Sequence, residues 1–194
     1  MQLLKKLAGT EIILASGSPR RQELLNGLGI PFRVMKLDVE EQFPDKLQRE
    51  SIPLFLARLK AEEAKKNIQD NQLIITADTV VWLGDHVLNK PADLQEARWM
   101  LNRLSGKTHE VITAVSLTSS KKSLSFYVVT EVVFRNLSED EIMYYTETYK
   151  PLDKAGAYGI QEWIGLVGVE RIEGSYFNVM GLPTKELFEE LLAF

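Results

Sequence analysis

A short apolar run, Glu11 to Ser16, stops at Gly17-Ser18-Pro19 and leads directly into Arg20-Arg21. A strand that turns into a helix at this point presents free backbone N–H groups and the positive end of the helix dipole, which together favour an anion. Gly17 lets a ligand come close, Ser16 and Ser18 can donate hydrogen bonds, and Arg20 and Arg21 can fork onto phosphate oxygens. Two arginines in a first helical turn oppose the dipole, so they cost stability unless an anion sits beside them. The Gly-Lys-Ser/Thr ending of a Walker loop is missing. The alternative on the residues alone is a capped helix with two solvated arginines.

A second group follows the apolar run Leu73 to Ala77 and reads Thr76-Ala77-Asp78-Thr79. In open α/β sheets ligands collect at the carboxyl ends of strands. A carboxylate there can hold a divalent metal or take a proton from water; otherwise Asp78 is a turn or cap residue. Lys60 lies in a helical stretch beside Ala61, Lys90 precedes Pro91, and the pair Glu40-Glu41 follows a second strand, where it could supply a metal ligand or remain a solvated loop. From Asp153 to Gln161, small residues surround Tyr158 and Gln161, which fits tight backbone packing and base recognition, or a turn-rich loop. His86 and His109 read as hydrogen-bonded structural residues. Taken together, four cations (Arg20, Arg21, Lys60, Lys90), two or more carboxylates and a helix N-terminus suit a polyphosphate with a divalent metal.

Composition narrows the chemistry further. The chain has 194 residues and no cysteine, so a disulfide scaffold, a thiolate zinc site, an iron–sulfur site and a cysteine nucleophile are excluded. Two histidines cannot build a His-rich metal site and nearly exclude a Ser-His-Asp triad. With 23 basic against 27 acidic residues and a net charge of −4, the chain lacks the basic face that a nucleic-acid polymer needs. Lysines interrupt the apolar residues near the N-terminus, so no signal-peptide core is present, and no apolar run approaches the roughly 18 residues of a membrane helix. A cytoplasmic protein without a membrane partner is expected, with residues 1–194 forming one domain, in two lobes.

These groups need elements to position them. Strands are expected at Glu11–Ser16, Phe32–Leu37, Leu73–Ala77, Val80–Leu83, His86–Leu88, Val111–Leu117, Leu124–Phe134 and Leu166–Ile172. Helices are expected from Pro19 to Leu28, ended by Gly29; from a Ser51 cap to about Asn67, with Leu54, Phe55, Leu59 and Ala61 facing inward; from Asp93 to about Leu104; after Ser138; and at the C-terminus, with Leu187, Phe188, Leu191 and Leu192 inward. Gly84-Asp85 suits a hairpin turn. Strands alternating with helices early, and hairpins later, predict an α/β fold with a mixed twisted sheet flanked by helices and a deep cleft between two lobes.

The combination resembles the Maf family of nucleoside triphosphate pyrophosphatases. The matching stretches are Ala15 to Arg21, Lys60-Ala61, Ala77 to Val81, Lys90-Pro91, Ser105 to His109, Asp153 to Gln161, and Gly174 to Asn178 leading to Gly181-Leu182-Pro183. They occur in family order and span almost the whole chain. The resemblance implies a fold distantly like that of inosine triphosphate pyrophosphatases, a divalent cation (Mg²⁺ or Mn²⁺), a homodimer, and hydrolysis of a nucleoside triphosphate to monophosphate and diphosphate. The family's proton acceptor falls on Asp78, and its other catalytic positions fall on Ser16, Arg21, Glu41, Lys60 and Lys90. Glu41 and Asp78 would hold the metal, and Ser16, Gly17 and Ser18 the phosphates. Arg20, Thr79 and Gln161 agree with the branch acting on dTTP and UTP; a sister branch preferring 7-methyl-GTP carries Trp, Gln and Glu there. Competing readings are a pyrophosphatase for a different or modified nucleotide, and a nucleotide-binding regulator of cell division without turnover. The pyrophosphatase reading requires Asp78 to lie close to the paired arginines.

Overall fold

Hydrophobic patterning and capping residues place most of the elements. The computed structural model describes residues 2–66 and 68–194. In chain order the elements are α1 (Gln2–Lys6), β1 (Glu11–Leu14), α2 (Pro19–Gly27), β2 (Phe32–Val34), α3 (Ser51–Lys65), β3 (Gln72–Leu83), β4 (His86–Leu88), α4 (Leu94–Leu104), β5 (Thr108–Thr118) and β6 (Ser123–Phe134). They continue with α5 (Glu139–Tyr149), a 3₁₀ turn (Ala155–Ala157), α6 (Trp163–Gly168), β7 (Val169–Glu173), α7 (Tyr176–Met180) and α8 (Thr184–Ala193). Among the described residues the strands form one mixed seven-stranded sheet in the order β2-β1-β3-β5-β6-β7, with β4 on β3. Strand β1 pairs in parallel with both β2 and β3, while β4 and β7 run antiparallel to β3 and β6. The expected mixed α/β class is therefore present.

Several boundaries differ from the sequence reading, each for a physical reason. Residues 72–83 form one uninterrupted strand, so Asp78 sits inside it rather than at a break. The flanking β-branched residues Thr76, Thr79, Val80 and Val81 favour extended backbone, and the Asp78 carboxylate finds a side-chain partner instead of capping a turn. The stretch from Leu166 begins as helix: the amides of Gly165 and Leu166 both donate to the Glu162 carbonyl, and pairing with β6 starts at Val169. Ser51 is the first helical residue of α3 and not its cap; Glu50 occupies that place without a side-chain bond. The buried face of α3 is Ile52, Pro53, Leu56, Ala57, Ala61 and Ala64, whereas Phe55 is exposed and Leu54 and Leu59 are only half-buried. The expected end of this helix at Asn67 lies outside the described residues. Strands β1 and β2 stop at Leu14 and Val34, short of the expected Ser16 and Leu37.

The chain divides into two compact units. The first comprises Met1–Asp78, Thr113–Val128 and Gly181–Phe194. In it Ile13, Ala15, Ala64 and Ile74 pack together, covered by Met35, Leu37 and Ile68, so α3 lies on β1 and β3. The buried Thr76 hydroxyl donates to the Ala57 carbonyl at 2.7 Å, fixing α3 against β3.

The second unit comprises Thr79–Ile112 and Val129–Met180. His109, Phe134 and Tyr158 meet edge to face at centroid distances of 5.0 to 5.4 Å. Helix α5 opens with a capping box, Ser138 Oγ accepting from the Glu141 amide and Glu141 accepting from the Ser138 amide; such a cap contributes about 1 kcal/mol. Helix α4 starts at Asp93, which accepts from the Glu96 amide, while Glu96 reaches back to the Ala92 amide.

Candidate active site

The loop after β1 carries the first group. The Ala15 amide is still tied to the Ile75 carbonyl, at 2.9 Å, so the chain leaves the sheet at Ser16. Ser16 is buried, and its hydroxyl accepts from the Ser18 amide at 3.3 Å. Ser18 occupies the cap position of α2 with extended backbone but makes no side-chain cap bond, and Pro19 takes the first turn. A Cβ built at Gly17 would meet nothing within 4 Å, so packing does not demand its missing side chain. The first turn of α2 has no acidic residue and two arginines, as the sequence indicated.

Arg21 is held in a way that no motif announces. Its Nε donates to the Gly181 carbonyl at 2.8 Å, and its Nη1 donates to the Ala77 carbonyl at 2.7 Å and to Ser16 Oγ at 3.4 Å. The guanidinium is thereby fixed on the carbonyl of the residue preceding Asp78, within range of that carboxylate's charge. Burial pulls its pKa down from the usual arginine value, against the opposing charges of Asp78 and Glu41. Arg20, half-buried, is its neighbour in the same turn.

Lys60 is the centre of the second group. It projects from the buried stripe of α3, one residue before Ala61, and its ammonium lies 2.6 Å from Asp78 Oδ1 and 2.8 Å from Glu41 Oε1. The Lys60 and Asp78 side chains are 12% and 8% exposed, and Glu41 is 39% exposed. One ammonium thus bridges a buried carboxylate and a partly solvated one. Burial raises the Asp78 pKa above the ordinary carboxylate value, although Lys60 and Arg21 oppose the shift. A carboxylate with a raised pKa, set beside cations, is suited to accept a proton from water. Glu40 points elsewhere and accepts from Gln42 at 2.6 Å.

Ser16, Arg21, Glu41, Lys60 and Asp78 therefore converge within the first unit. Thr79, Lys90 and Gln161 belong to the second. Thr79 is half-buried in β3, Lys90 is exposed just after β4, and Gln161 is exposed after the 3₁₀ turn. The sequence names Thr76 and Gly181 within its motifs but gives no role to the Thr76 hydroxyl or to the Gly181 carbonyl. Backbone acceptors leave no side-chain signature, and Thr76 carries one only in the β-branched run around Asp78.

Among the described residues no cluster of three or more His, Cys, Asp or Glu could hold a metal by itself. The two carboxylates that share the Lys60 ammonium are hard oxygen donors within reach of one point. Magnesium is commonly held by one or two carboxylates together with substrate phosphates. The donor set fits that pattern and does not fit an all-protein cage.

A family model described as Maf-like protein matches residues 11–194. The chain is 55% identical over 190 residues to a protein of Phocaeicola vulgatus named dTTP/UTP pyrophosphatase, with 97% of this chain and 98% of that one covered. A Bacteroides fragilis protein of the same name is 54% identical over 190 residues, covering 97% and 98%. A third, from Parabacteroides distasonis, is 50% identical over 193 residues, covering 99% and 100%.

Proposed function

We propose that this chain, which belongs to the Maf family, hydrolyses dTTP and UTP to the nucleoside monophosphate and diphosphate. The observation that carries the reading is the buried Asp78 carboxylate, bonded to Lys60 beside the guanidinium of Arg21. A binder without turnover needs cations for the phosphates, but it gains nothing from burying a base whose pKa is raised. The near full-length similarity to proteins named dTTP/UTP pyrophosphatase supplies the substrate class.

Asp78 orients a water molecule for attack on the α-phosphorus and accepts its proton. Lys60, released from Glu41 when the anion arrives, and Lys90 balance charge on the phosphate oxygens. Arg21 holds the carbonyl preceding Asp78 and adds positive potential. Ser16, Gly17 and Ser18 receive the phosphate chain at the start of α2. Glu41 and Asp78 would hold a divalent cation, Mg²⁺ or Mn²⁺, which would supply neutralisation of phosphate charge. Thr79 and Gln161 read the pyrimidine edge, and Arg20 tunes that recognition. Catalysis of this kind rests on positioning and charge stabilisation.

The same proposal describes a homodimeric cytoplasmic enzyme. Among the described residues no helix is long and apolar enough to cross a membrane. Sedimentation equilibrium measures the dimer. For the activity, diphosphate release from a panel of nucleoside triphosphates is measured with and without Mg²⁺, for the wild type and Asp78→Asn. Metal-dependent release that ranks dTTP and UTP first and disappears in Asp78→Asn is expected. Tight dTTP binding with no release establishes the regulator instead, and a different ranking establishes another substrate.

A further inference from the structure

The segment carrying Gln161 is anchored far more firmly than an exposed loop needs to be. Lys154, Glu162 and Tyr145 form a network beneath it. The Lys154 ammonium lies 3.0 Å from Glu162 Oε1 and 2.7 Å from Asp153 Oδ1, with the Lys154 and Glu162 side chains 9% and 19% exposed. The fully buried Tyr145 donates its hydroxyl proton to Glu162 Oε2 and accepts from the Gly159 amide at 3.0 Å. Gln161 is therefore bracketed: the residue two before it and the residue after it are both bound to one phenol oxygen. A Cβ at Gly159 would lie 2.8 Å from the Glu162 carboxyl carbon, so a side chain there would displace the Glu162 carboxylate from its partners. At the other end of the segment the Gly156 amide donates to the Asn89 carbonyl at 3.2 Å, one residue before Lys90. Gly156 holds φ +67°, and a Cβ on it would strike Val81 at 2.9 Å. Between these ends, Tyr158 is fixed through His109 Nε2 at 2.8 Å.

A buried ion pair is a poor source of net stability compared with apolar residues of equal volume, and the best-attested use of such groups is to specify one arrangement. The arrangement specified here is the backbone that carries Gln161, with the neighbour of Lys90 tied to the same segment. The need is chemical. Thymine presents an acceptor at O4 where cytosine presents an amino donor. A carboxamide on a mobile backbone can offer its oxygen to one base or its amino group to the other. A fixed backbone places the carboxamide at one position along the base edge, so that a base with the wrong group there is not met by adjustment of the loop, and it removes the ordering cost at binding.

We propose that Tyr145, with Glu162 and Lys154, is a positioning device that fixes Gln161 and thereby sets base selectivity. The proposal rests on Gln161 reading the base. None of the three side chains is placed against the phosphates or the attacking water, so their effect falls on recognition rather than on the chemical step.

The test is a double-mutant cycle read as the ratio of kcat/KM for dTTP over dCTP, in wild type, Tyr145→Phe, Gln161→Ala and the double variant, with thermal unfolding recorded for each. Tyr145→Phe is expected to lower the ratio about tenfold, the worth of one well-placed hydrogen bond. The loss should appear mainly in KM for dTTP, with kcat unchanged. In the Gln161→Ala background the same change is expected to alter the ratio no further. A ratio unchanged by Tyr145→Phe, or lowered equally in both backgrounds, overturns the positioning role. If Gln161→Ala itself leaves the ratio intact, the base-reading assignment fails and takes the inference with it, whereas a ratio lost in Gln161→Ala but kept in Tyr145→Phe overturns the inference alone. Should Tyr145→Phe not fold, Glu162→Gln takes its place in the cycle with the same outcomes, since it keeps an acceptor for Tyr145 and removes the charge facing Lys154.

Discussion

Replacing Lys60 by methionine preserves length and apolar contact but deletes the ammonium that sits 2.6 Å from Asp78. Breaking one side of a buried ion pair typically costs about 3–5 kcal/mol, because the remaining charge is stranded. Glu41 is 39% exposed and relaxes into water, so the cost falls on Asp78, 8% exposed. Asp78 can limit that cost by taking up a proton, which places the expected loss near the lower bound, about 3 kcal/mol at neutral pH. For a chain of this size 1 kcal/mol corresponds to about 2–4 °C, so Tm should fall by about 6–12 °C. The sign with pH follows from the raised Asp78 pKa. A carboxyl whose folded pKa lies above its unfolded value binds its proton more tightly when folded. Its favourable contribution is present at acid pH and is lost as pH rises through the folded value. Removing Lys60, which opposes the upward shift, moves that transition to still higher pH. The Tm difference between Lys60→Met and wild type should therefore be smallest in acid and grow as pH rises. In the assay of diphosphate release from dTTP between pH 5 and 9, the acid limb should move upward, and the rate at pH 7 should drop on the order of 10³-fold. An acid limb that stays in place refutes the role given to the Lys60–Asp78 pair.

Thr76→Val keeps shape but removes the 2.7 Å bond to the Ala57 carbonyl; about 1 kcal/mol of stability should be lost, with kcat falling, KM for dTTP unchanged, and partial recovery in Thr76→Ser. Arg21→Lys retains the charge but cannot bond both the Gly181 and Ala77 carbonyls. Steady-state kinetics on dTTP should show at least an order of magnitude lost in kcat/KM, where a simple charge requirement predicts little change. His109 is held neutral, burial driving its pKa down to about 3. Its folded value is depressed, so its contribution is present above the unfolded value and is lost as pH falls. Urea unfolding between pH 6.5 and 4 should show His109→Phe losing less stability with acid than wild type, by up to about 1.4 kcal/mol per pH unit.

The elements of the site that sit next to one another in the chain could be read directly. Ser16 to Arg21 points to an anion because serines, glycine and two arginines stand together at a helix start, while a capped helix with solvated arginines fits the same residue types. Lys60 was visible as a residue but not as an inward-facing one. A cation in the buried stripe of α3 breaks the apolar periodicity, so the pattern pointed to Leu54, Phe55 and Leu59 instead of Leu56, Ala57 and Ala64. Asp78 resembles a turn residue until its partner, 18 positions earlier in the chain, is in place. The helical start of the stretch at Leu166 depends on the Glu162 carbonyl accepting two amides, which residue types do not encode. Glu162 and Tyr145, 17 positions apart, carry no spacing that marks them as a pair.

The bond from Arg21 to the Gly181 carbonyl joins positions 160 residues apart. During synthesis the loop after β1, the lysine of α3 and the aspartate of β3 all leave the ribosome long before that carbonyl exists. Contacts so distant in sequence close late, after the intervening loops have paid their entropy. A growing polypeptide thus holds Ser16, Arg21, Lys60 and Asp78 while it still lacks the carbonyl that accepts from Arg21 Nε.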